Sequence, residues 1–362
     1  MRPHDLLTPD LAEAVDSALE RAFRFAEVRE FAGTDPYDGL LSPLAKHLKT
    51  RRPRQAWVQA HKRAGQWLRD LTDVPPVRMT KGMALFSHAA VLDNNPELAN
   101  RLVDRILTER GAGPWGYEFD VQTRWAFYPA GSPNVVATTF ALRAFQATGR
   151  LKEVSTEVEQ WLEGQFHDGY FRYTTTSDRL VHNGSLLGAE SLAMLGGDGG
   201  KIQSAINRTV AAQMPDGAWS YGVGPGLEWI DSFHTIYNLD SLWALETAGF
   251  DTGNARQEGL QFWAEHCLNR DGLPLYYANA EKASHDVHNV ATTVGFLARA
   301  VNRGWAIPAP QPAVEHLLAL QGDDGGFRSL GSGLPHMRWN QGHATLALAG
   351  WGNNNESAGS SR

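Results

Sequence analysis

A repeated turn signature is the feature that most restricts how this chain can fold. The pattern Gln-x-x-Asp-Gly-x-aromatic, or a close variant of it, occurs at residues 165–171, 213–219, 268–274 and 321–327. Its Asp-Gly pairs lie 48 to 55 residues apart, a spacing close to that of repeat folds. Glycine takes the positive φ that ends a helix, and aspartate binds nearby backbone amides. Each copy therefore predicts a turn that follows a helix.

The segments between these turns have a helical period. Those that start near His182, His234, His288 and His343 are apolar over most of their surface, and 81–92 and 135–148 resemble them. The segments 152–164, 200–213 and 256–267 are more amphipathic, as expected of outer helices.

Six inner and about six outer helices predict an all-α fold, an (α/α)6 toroid whose closure leaves no exposed end. We expect one domain over 1–352. Its N-terminal helical extension (about 1–50) would form a lid or cap, and the Asn/Ser/Gly-rich tail 353–362 would be disordered.

Composition excludes several classes of protein. The net charge of -7 argues against a nucleic-acid partner, which requires a basic face. The one cysteine, Cys267, allows no disulfide within the chain and fits a reducing compartment. No apolar run is long enough to cross a bilayer, and the start lacks the pattern of a signal peptide. We therefore expect a cytoplasmic protein without an integral membrane segment.

Four histidines follow the repeat and start four predicted inner helices. His182, His234, His288 and His343 are 52 to 55 residues apart, so a closed toroid would bring them to one mouth of the barrel. Helix N-termini that converge on one pocket favour an anion there. Twelve tryptophans add the prospect of aromatic walls, which suit sugar faces or a carbocation.

Polar residues next to these histidines complete the candidate site. His234, Tyr237 and Asn238 are three and four residues apart and would share a helix face. The candidate catalytic residues are His234, Tyr237, Asp231, His182, Asp286 and His288. The candidate substrate-binding residues are Asn183, Arg124, Trp115, Tyr117, Asp120, Trp219, Asn238, Asp240, Tyr276 and His343.

Three chemistries suit this set of residues. A His/Tyr pair can remove and return a proton at carbon, with Asn and Arg holding a carboxylate. Two carboxylates could hydrolyse a glycosidic bond, with Asp231, Asp240, Asp286 and Glu118 as candidates. A divalent metal could bind to Asp286, His288, His234 and His182, although we expect no cofactor.

The turn signature resembles the QW-type repeats of terpene cyclases and the related protein prenyltransferase toroids, over roughly residues 80–350. This resemblance implies a toroid and an isoprenoid substrate. The chain departs from those families at their functional residues. It lacks the Asp-x-Asp-Asp acid motif of the proton-initiated cyclases, so Asp231 or Asp286 would have to donate the proton. The zinc sites of protein prenyltransferases and lanthionine cyclases do not carry over, because the only cysteine has no partners in register.

The mouth residues resemble a second toroid group, the six-hairpin glycosidases, polysaccharide lyases and uronate C5-epimerases. Asn183, His234, Tyr237 and Arg124 match in type the Asn, His, Tyr and Arg of its lyases. Segments 35–39, 115–120, 181–188 and 229–240 also look like a bacterial toroid family to which we attach no activity.

We therefore predict an enzyme that acts on an anionic, uronate-type saccharide. Tyr237 and His234 would be the acid and base, Asn183 and Arg124 would bind the carboxylate, and Trp115, Tyr117 and Trp219 would stack on sugar faces. A small molecule, an oligosaccharide or an isoprenoid would be its substrate. The alternatives are a terpene or prenyl enzyme and a non-catalytic binding toroid.

Overall fold

The computed structural model describes residues 2–124, 126–329 and 333–352, so the predicted tail 353–362 lies outside the described residues. The described helices are α1 (Pro9–Glu27), α2 (Arg51–Arg63), α3 (Gln66–Leu71), α4 (Thr80–Leu92), α5 (Pro96–Arg110), α6 (Val135–Ala147), α7 (Thr156–Gln165), α8 (His182–Met194), α9 (Gly199–Val210), α10 (Ser232–Thr247), α11 (Ala255–His266), α12 (Val287–Asn302), α13 (Gln311–Leu318) and α14 (His343–Ala349). Short 3-10 helices cover Pro3–Leu6, Asp38–Leu41, Pro43–His47 and Leu151–Glu153, and a π-helical turn, Met337–Gly342, precedes α14.

Three short antiparallel strand pairs accompany the helices in the described part of the chain. They pair β1 (Ala32–Gly33) with β2 (Val77–Arg78), β3 (Val121–Gln122) with β4 (Phe127–Tyr128), and β5 (Phe166–His167) with β6 (Tyr170–Phe171).

Six inner helices form a closed ring. Helix α4 contacts α6, and the contacts continue through α8, α10, α12 and α14 back to α4. Helices α5, α7, α9, α11, α13 and α1 lie outside this ring. This arrangement confirms the predicted (α/α)6 toroid.

The burial of each helix follows its place in the ring. Every residue from His182 to Leu192 of α8 is buried, because α8 has neighbours on all sides. The buried residues of the outer helix α9 are Ile202, Ala205, Ile206 and Thr209, which form one stripe with helical spacing. The hydrophobic core therefore lies between the two rings.

The repeated glutamine ties each turn to the next outer helix. Gln213 donates from Nε2 to the carbonyls of Gly217 (2.9 Å) and Ala255 (2.8 Å), the first residue of α11. Gly217 has a positive φ, and a Cβ there would lie 2.4 Å from the Glu258 carbonyl oxygen. Glycine is therefore required both by the turn and by the close approach of α11.

The last repeat makes the same contacts with α1. Gln321 Nε2 donates to the carbonyls of Gly325 (3.0 Å) and Ala18 (2.9 Å), and Ala18 belongs to α1. Helix α1 is thus the outer helix that closes the ring, next to α13 and α14. This corrects the expectation that the first helix is a lid or cap.

The mouth is covered instead by the segment between α1 and α4. Strands β1 and β2 pair at its two ends, so residues 34–76 leave the ring and return to it. Tyr37 of this mouth segment packs on Trp339 with ring centroids 5.5 Å apart, and Gln55 donates to the Thr123 carbonyl (2.8 Å).

Candidate functional site

A polar chamber lies at the N-terminal ends of the inner helices. The Tyr237 hydroxyl is 2.9 Å from His288 Nε2. The His288 ring stacks on Trp339 and meets His343 edge-on, with ring centroids 4.2 Å away in both cases. Phe140 closes one side, 5.8 Å from His343 and 6.0 Å from Tyr237 between ring centroids. Helices α6, α10, α12 and α14 therefore meet in one site.

Lys81 places a basic side chain in this chamber. The side chain starts in the first turn of α4 and is only 3% exposed. Its Nζ is 4.1 Å from the centroid of the Phe140 ring and 5.7 Å from that of Tyr237. Among the described residues no carboxylate forms a salt bridge with it. Burial, followed by the nearby charge of Arg338, holds the Lys81 pKa well below its usual 10.5, so its charged form is disfavoured unless an anion lies beside it.

Arg338 supplies a second buried basic side chain, from the π-helical turn. Its guanidinium forms a salt bridge of 2.7 Å with Asp35 and lies 5.0 Å from the Tyr117 ring centroid and 5.5 Å from that of Trp339. Asp35 also accepts a hydrogen bond from the Tyr37 amide. Arg338 therefore has the carboxylate of Asp35 as its partner, whereas Lys81 forms no salt bridge among the described residues.

Burial fixes the protonation states of the chamber residues. It lowers the pKa of His288 and of His343 well below 6.5, so both rings are neutral at neutral pH. It also raises the pKa of Tyr237, so this phenol keeps its proton. The pair therefore combines a neutral imidazole, which can accept a proton, with a hydroxyl that can donate one.

A second polar pair, Asp231 and His234, lies at the start of α10. Asp231 caps the helix by accepting the His234 amide (2.8 Å), and its other oxygen is 2.6 Å from His234 Nδ1 and 3.0 Å from Trp229 Nε1. The His234 ring packs against Phe233 and Tyr221, with centroids 4.1 and 4.5 Å away. Because Asp231 engages Nδ1, Nε2 is the nitrogen that can exchange a proton with a ligand.

Asp286 begins the next inner helix in a similar way. It accepts the Asn289 amide (3.2 Å) and the Trp339 indole N–H (3.2 Å). Burial raises its pKa above the usual 3.8, and these hydrogen bonds oppose the increase. Asp286 thus orients Trp339, which in turn stacks on His288.

Three further predicted residues are found around the mouth. Tyr276 packs edge-on against Phe233 (5.7 Å), and the Tyr117 hydroxyl is 3.2 Å from that of Tyr173. Asn183 is buried, and its Oδ1 has no hydrogen-bond partner in the described part of the chain. Asn183 lies seven residues before Glu190, which faces Arg143 of α6 and Ser241 of α10, so it shares this inward face of α8. The roles predicted for these three residues remain predictions.

Two predicted aromatic contacts are corrected. Trp115 is 2% exposed, stacks on Phe145 and donates to the Gly111 carbonyl. Trp219 is equally buried and donates to the Thr209 carbonyl. Both rings fill the core behind the inner helices, so neither can stack on a sugar.

Asp240 is the second correction. It lies one turn deeper than Tyr237 and forms salt bridges with Arg299 (2.6 Å) and Arg303 (2.8 Å), away from the mouth. The predicted helix was correct, but the depth along it was not.

His182 is buried, and burial and the charge of Arg208, on the outer helix α9, lower its pKa to about 4. The catalytic role predicted for His182 remains a prediction.

Four other predicted residues have varied surroundings. Arg124 is exposed in the β3–β4 loop, and Asp120 accepts the Ala130 amide. Asn238 is buried on α10, and its Oδ1 has no hydrogen-bond partner among the described residues, so its binding role remains a prediction. Glu118 accepts both the amide and the hydroxyl of Thr80, at 2.7 Å each, and so caps α4 just before Lys81.

Four residues of the chamber were not predicted from the sequence: Lys81, Arg338, Trp339 and Phe140. Lys81 was detectable, because it occupies in α4 the first-turn position that histidines occupy in later inner helices. Arg338 and Trp339 precede His343 in a π-helical turn, which shifts the register so that no α-helical pattern finds them.

The predicted metal ligands do not converge. Asp286 is engaged by Trp339, and His234 by Asp231. Over the described ranges no group of three or more His, Cys, Asp or Glu side chains is placed to hold a metal ion. In the same part of the chain, we find no helix with the length and apolar character needed to span a bilayer.

Solved structures share this architecture at low sequence identity. An unsaturated glucuronyl hydrolase specific for heparin is 11% identical with a TM-score of 0.57, and the match covers 94% of this chain and 96% of that one. A possible member of the GH105 family from Salmonella enterica is 14% identical, with a TM-score of 0.53 and coverage of 77% and 86%.

A terpenoid enzyme is similar to a comparable degree. The ent-copalyl diphosphate synthase from Streptomyces platensis is 16% identical with a TM-score of 0.51, and the match covers 88% of this chain and 60% of that one. No protein-family model and no curated protein sequence matches the chain. At these identities the similarity establishes the (α/α)6 toroid fold alone.

Proposed function

We propose that this protein is an enzyme that removes a proton from a uronate-type saccharide, as a lyase or an epimerase. The observation that carries the proposal is the pair of buried basic side chains, Lys81 and Arg338, near the neutral Tyr237–His288 pair: Lys81 lies over the Tyr237 ring, and Arg338 lies over the Trp339 ring that stacks on His288. Cations are costly to bury, and Lys81 has no carboxylate partner among the described residues. An anionic ligand would supply the missing negative charge.

A carboxylate held by these cations would also activate the substrate. Lys81 and Arg338 would stabilise the enolate that forms when the carbon next to the carboxylate loses its proton. The neutral His288 would accept that proton, assisted by the Tyr237 hydroxyl. In the proposal these two cations take the place that the sequence had suggested for Arg124, which is exposed in the loop between β3 and β4.

The Asp231–His234 pair would complete the reaction. In an elimination, the electrons of the C5–H bond form the C4–C5 double bond, the C4–O bond breaks, and His234 gives its proton to the leaving oxygen. In an epimerisation, no bond to oxygen breaks and a proton returns to the opposite face of C5. Asp231 would stabilise the imidazolium form of His234 in either case.

Hydrolysis by two carboxylates fits the geometry less well. Asp231 is bound to His234 and Trp229, and Asp286 to Trp339. Asp240 pairs with two arginines, and Glu118 caps α4. All four carboxylates considered for this reaction thus already have structural partners.

One feature of the site favours the terpene cyclase alternative, and another opposes it. The raised pKa of Asp286 suits a proton donor. However, Lys81 faces the rings of Phe140 and Tyr237, and Arg338 those of Tyr117 and Trp339. A carbocation needs these same π faces and would be repelled by the cations.

Incubation with uronate oligosaccharides in D2O tests the proposal. We expect deuterium at C5 of the recovered sugar, or a product with a C4–C5 double bond, and neither from the matching neutral oligosaccharide. Mass spectrometry and proton NMR would detect both. Cleavage without C5 exchange, or a cyclised product from an isoprenyl diphosphate, would contradict the proposal.

A further inference from the structure

A small pocket adjoins the chamber at the mouth. Its walls include Tyr117, Tyr128, Tyr173 and Tyr221, together with Val181 and Leu227, and its volume is about 110 Å³. Tyr128, Tyr173 and Tyr221 have no role in the site predicted from the sequence. The Tyr237–His288 reaction does not require them either.

The volume suits one ring. An apolar cavity of about 150 Å³ holds a benzene molecule, and a water molecule occupies about 30 Å³. The pocket is therefore too large for a single water molecule and too small for a disaccharide. One six-membered ring is the largest group that it can enclose without opening.

The chemistry of the walls favours an apolar ring over a sugar. The Tyr117 and Tyr173 hydroxyls are 3.2 Å apart and satisfy each other, and Tyr221 stacks on Trp229 with centroids 4.5 Å apart. Val181 and Leu227 offer only methyl groups. Thr123, Ser177 and Arg179 also line the pocket, but most of its exposed wall is apolar. A sugar ring would therefore leave part of its hydroxyls without partners, which is costly.

The position of the pocket connects it to the chamber. The Tyr221 ring is 4.5 Å from the His234 ring, and the Tyr117 ring faces Arg338 at 5.0 Å. A ring bound in this pocket, which we call the tyrosine pocket, would therefore lie close to the Asp231–His234 pair and to Arg338. The bond that joins this ring to a group in the chamber would lie beside His234.

We infer that the tyrosine pocket binds a single apolar ring, so that the substrate is a uronate with an aromatic or other apolar cyclic substituent on its C4 oxygen. The ring-binding part stands on the pocket alone, and the link to a uronate rests on the proposed function. In elimination, loss of the C5 proton forms the C4–C5 double bond and the C4–O bond breaks. His234 would protonate the departing oxygen, so the ring leaves as an alcohol or phenol and the sugar retains the new double bond.

Phenol is the probe for the pocket itself. We expect phenol to bind the wild-type protein in ligand-observed NMR titrations. Val181→Phe, which fills the pocket, should weaken binding by about tenfold or more, because the apolar ring is excluded from its site. Val223→Phe is the matched control, since Val223 lies on a nearby loop and is exposed. Tyr128→Trp is a second filling variant if Val181→Phe does not fold.

4-O-Phenyl glucuronate and free glucuronate then separate the two proposals. 4-O-Phenyl glucuronate should bind the wild type about tenfold more tightly than glucuronate, and Val181→Phe should remove this advantage without weakening glucuronate. Glucuronate binding without phenol binding overturns the pocket and leaves the proposed function standing. Phenol binding without glucuronate binding overturns the proposed function and leaves the ring-binding pocket standing. Competition by glucose as effective as that by phenol would overturn the preference for an apolar ring.

Discussion

Replacing Arg69 with methionine is expected to lower the free energy of unfolding by about 3 to 5 kcal/mol, because it leaves a buried carboxylate without its cation. Arg69 and Asp38 are both fully buried in the mouth segment and form a salt bridge of 2.9 Å. Arg69 also donates to the carbonyls of His61 and Asp35. Its loss would thus loosen the turn that places Asp35 against Arg338.

The effect should depend on pH in a defined direction. Burial raises the pKa of Asp38 to about 6, although Arg69 opposes the increase. A carboxyl whose pKa is higher in the folded than in the unfolded protein costs stability once it ionises. Its contribution is favourable below the ordinary pKa of 3.8 and is lost as pH rises through about 6. The difference between Arg69→Met and wild type should therefore be largest above pH 6 and shrink towards pH 4.

Urea unfolding at several pH values measures this difference. The double variant Asp38→Asn/Arg69→Met is the control, because it removes both charges and should recover part of the lost stability. An Arg69→Met protein within about 1 kcal/mol of wild type at pH 7 would show that this pair contributes no more than an exposed one.

Tyr237→Phe is expected to slow C5 exchange by about 10²- to 10⁴-fold, the usual contribution of one general acid or base. Phenylalanine retains the ring contacts with Phe140 and Phe233 and removes the hydroxyl that meets His288 Nε2. The unpaired imidazole nitrogen should cost about 1 to 3 kcal/mol of stability, so the variant should still fold.

The rate of deuterium incorporation from D2O measures this effect. Tyr277→Phe is the matched control, since Tyr277 is half exposed and packs on Tyr276 outside the chamber. A Tyr237→Phe enzyme that retains more than a third of the wild-type rate would remove Tyr237 from the proton-transfer machinery.

The fold was predictable because one signal repeats. Gln213 and Gln321 make the same pair of hydrogen bonds around their turns, so the sequence period is also the structural period. The closing helix was harder to place, since α1 lies about 300 residues from the repeat that it completes. Its place is revealed by its contacts with α13 and α14 and by the hydrogen bond between Gln321 and Ala18.

The site was predictable to the level of the helix and not of the helix face. His288 and His343 meet as the spacing suggested, whereas His182 has the same repeat position without a contact to them in the described structure. A change of one residue in register rotates a side chain by about 100° around an α-helix, and the period cannot resolve this. Arg338 depends on a π-helical turn, whose register no heptad or 3.6-residue pattern describes.

Titration calorimetry with a uronate disaccharide, on wild type and Lys81→Met, tests most directly whether the chamber binds an anion. Lys152→Met is the control, because it removes the same type of side chain from a position that is exposed and distant from Lys81 in the sequence. We predict that Lys81→Met weakens uronate binding by about 100-fold or more, equivalent to about 2.7 kcal/mol, while Lys152→Met has no effect. Equal affinity of Lys81→Met and wild type for the uronate, or equal affinity of the wild type for a neutral disaccharide, would contradict the account.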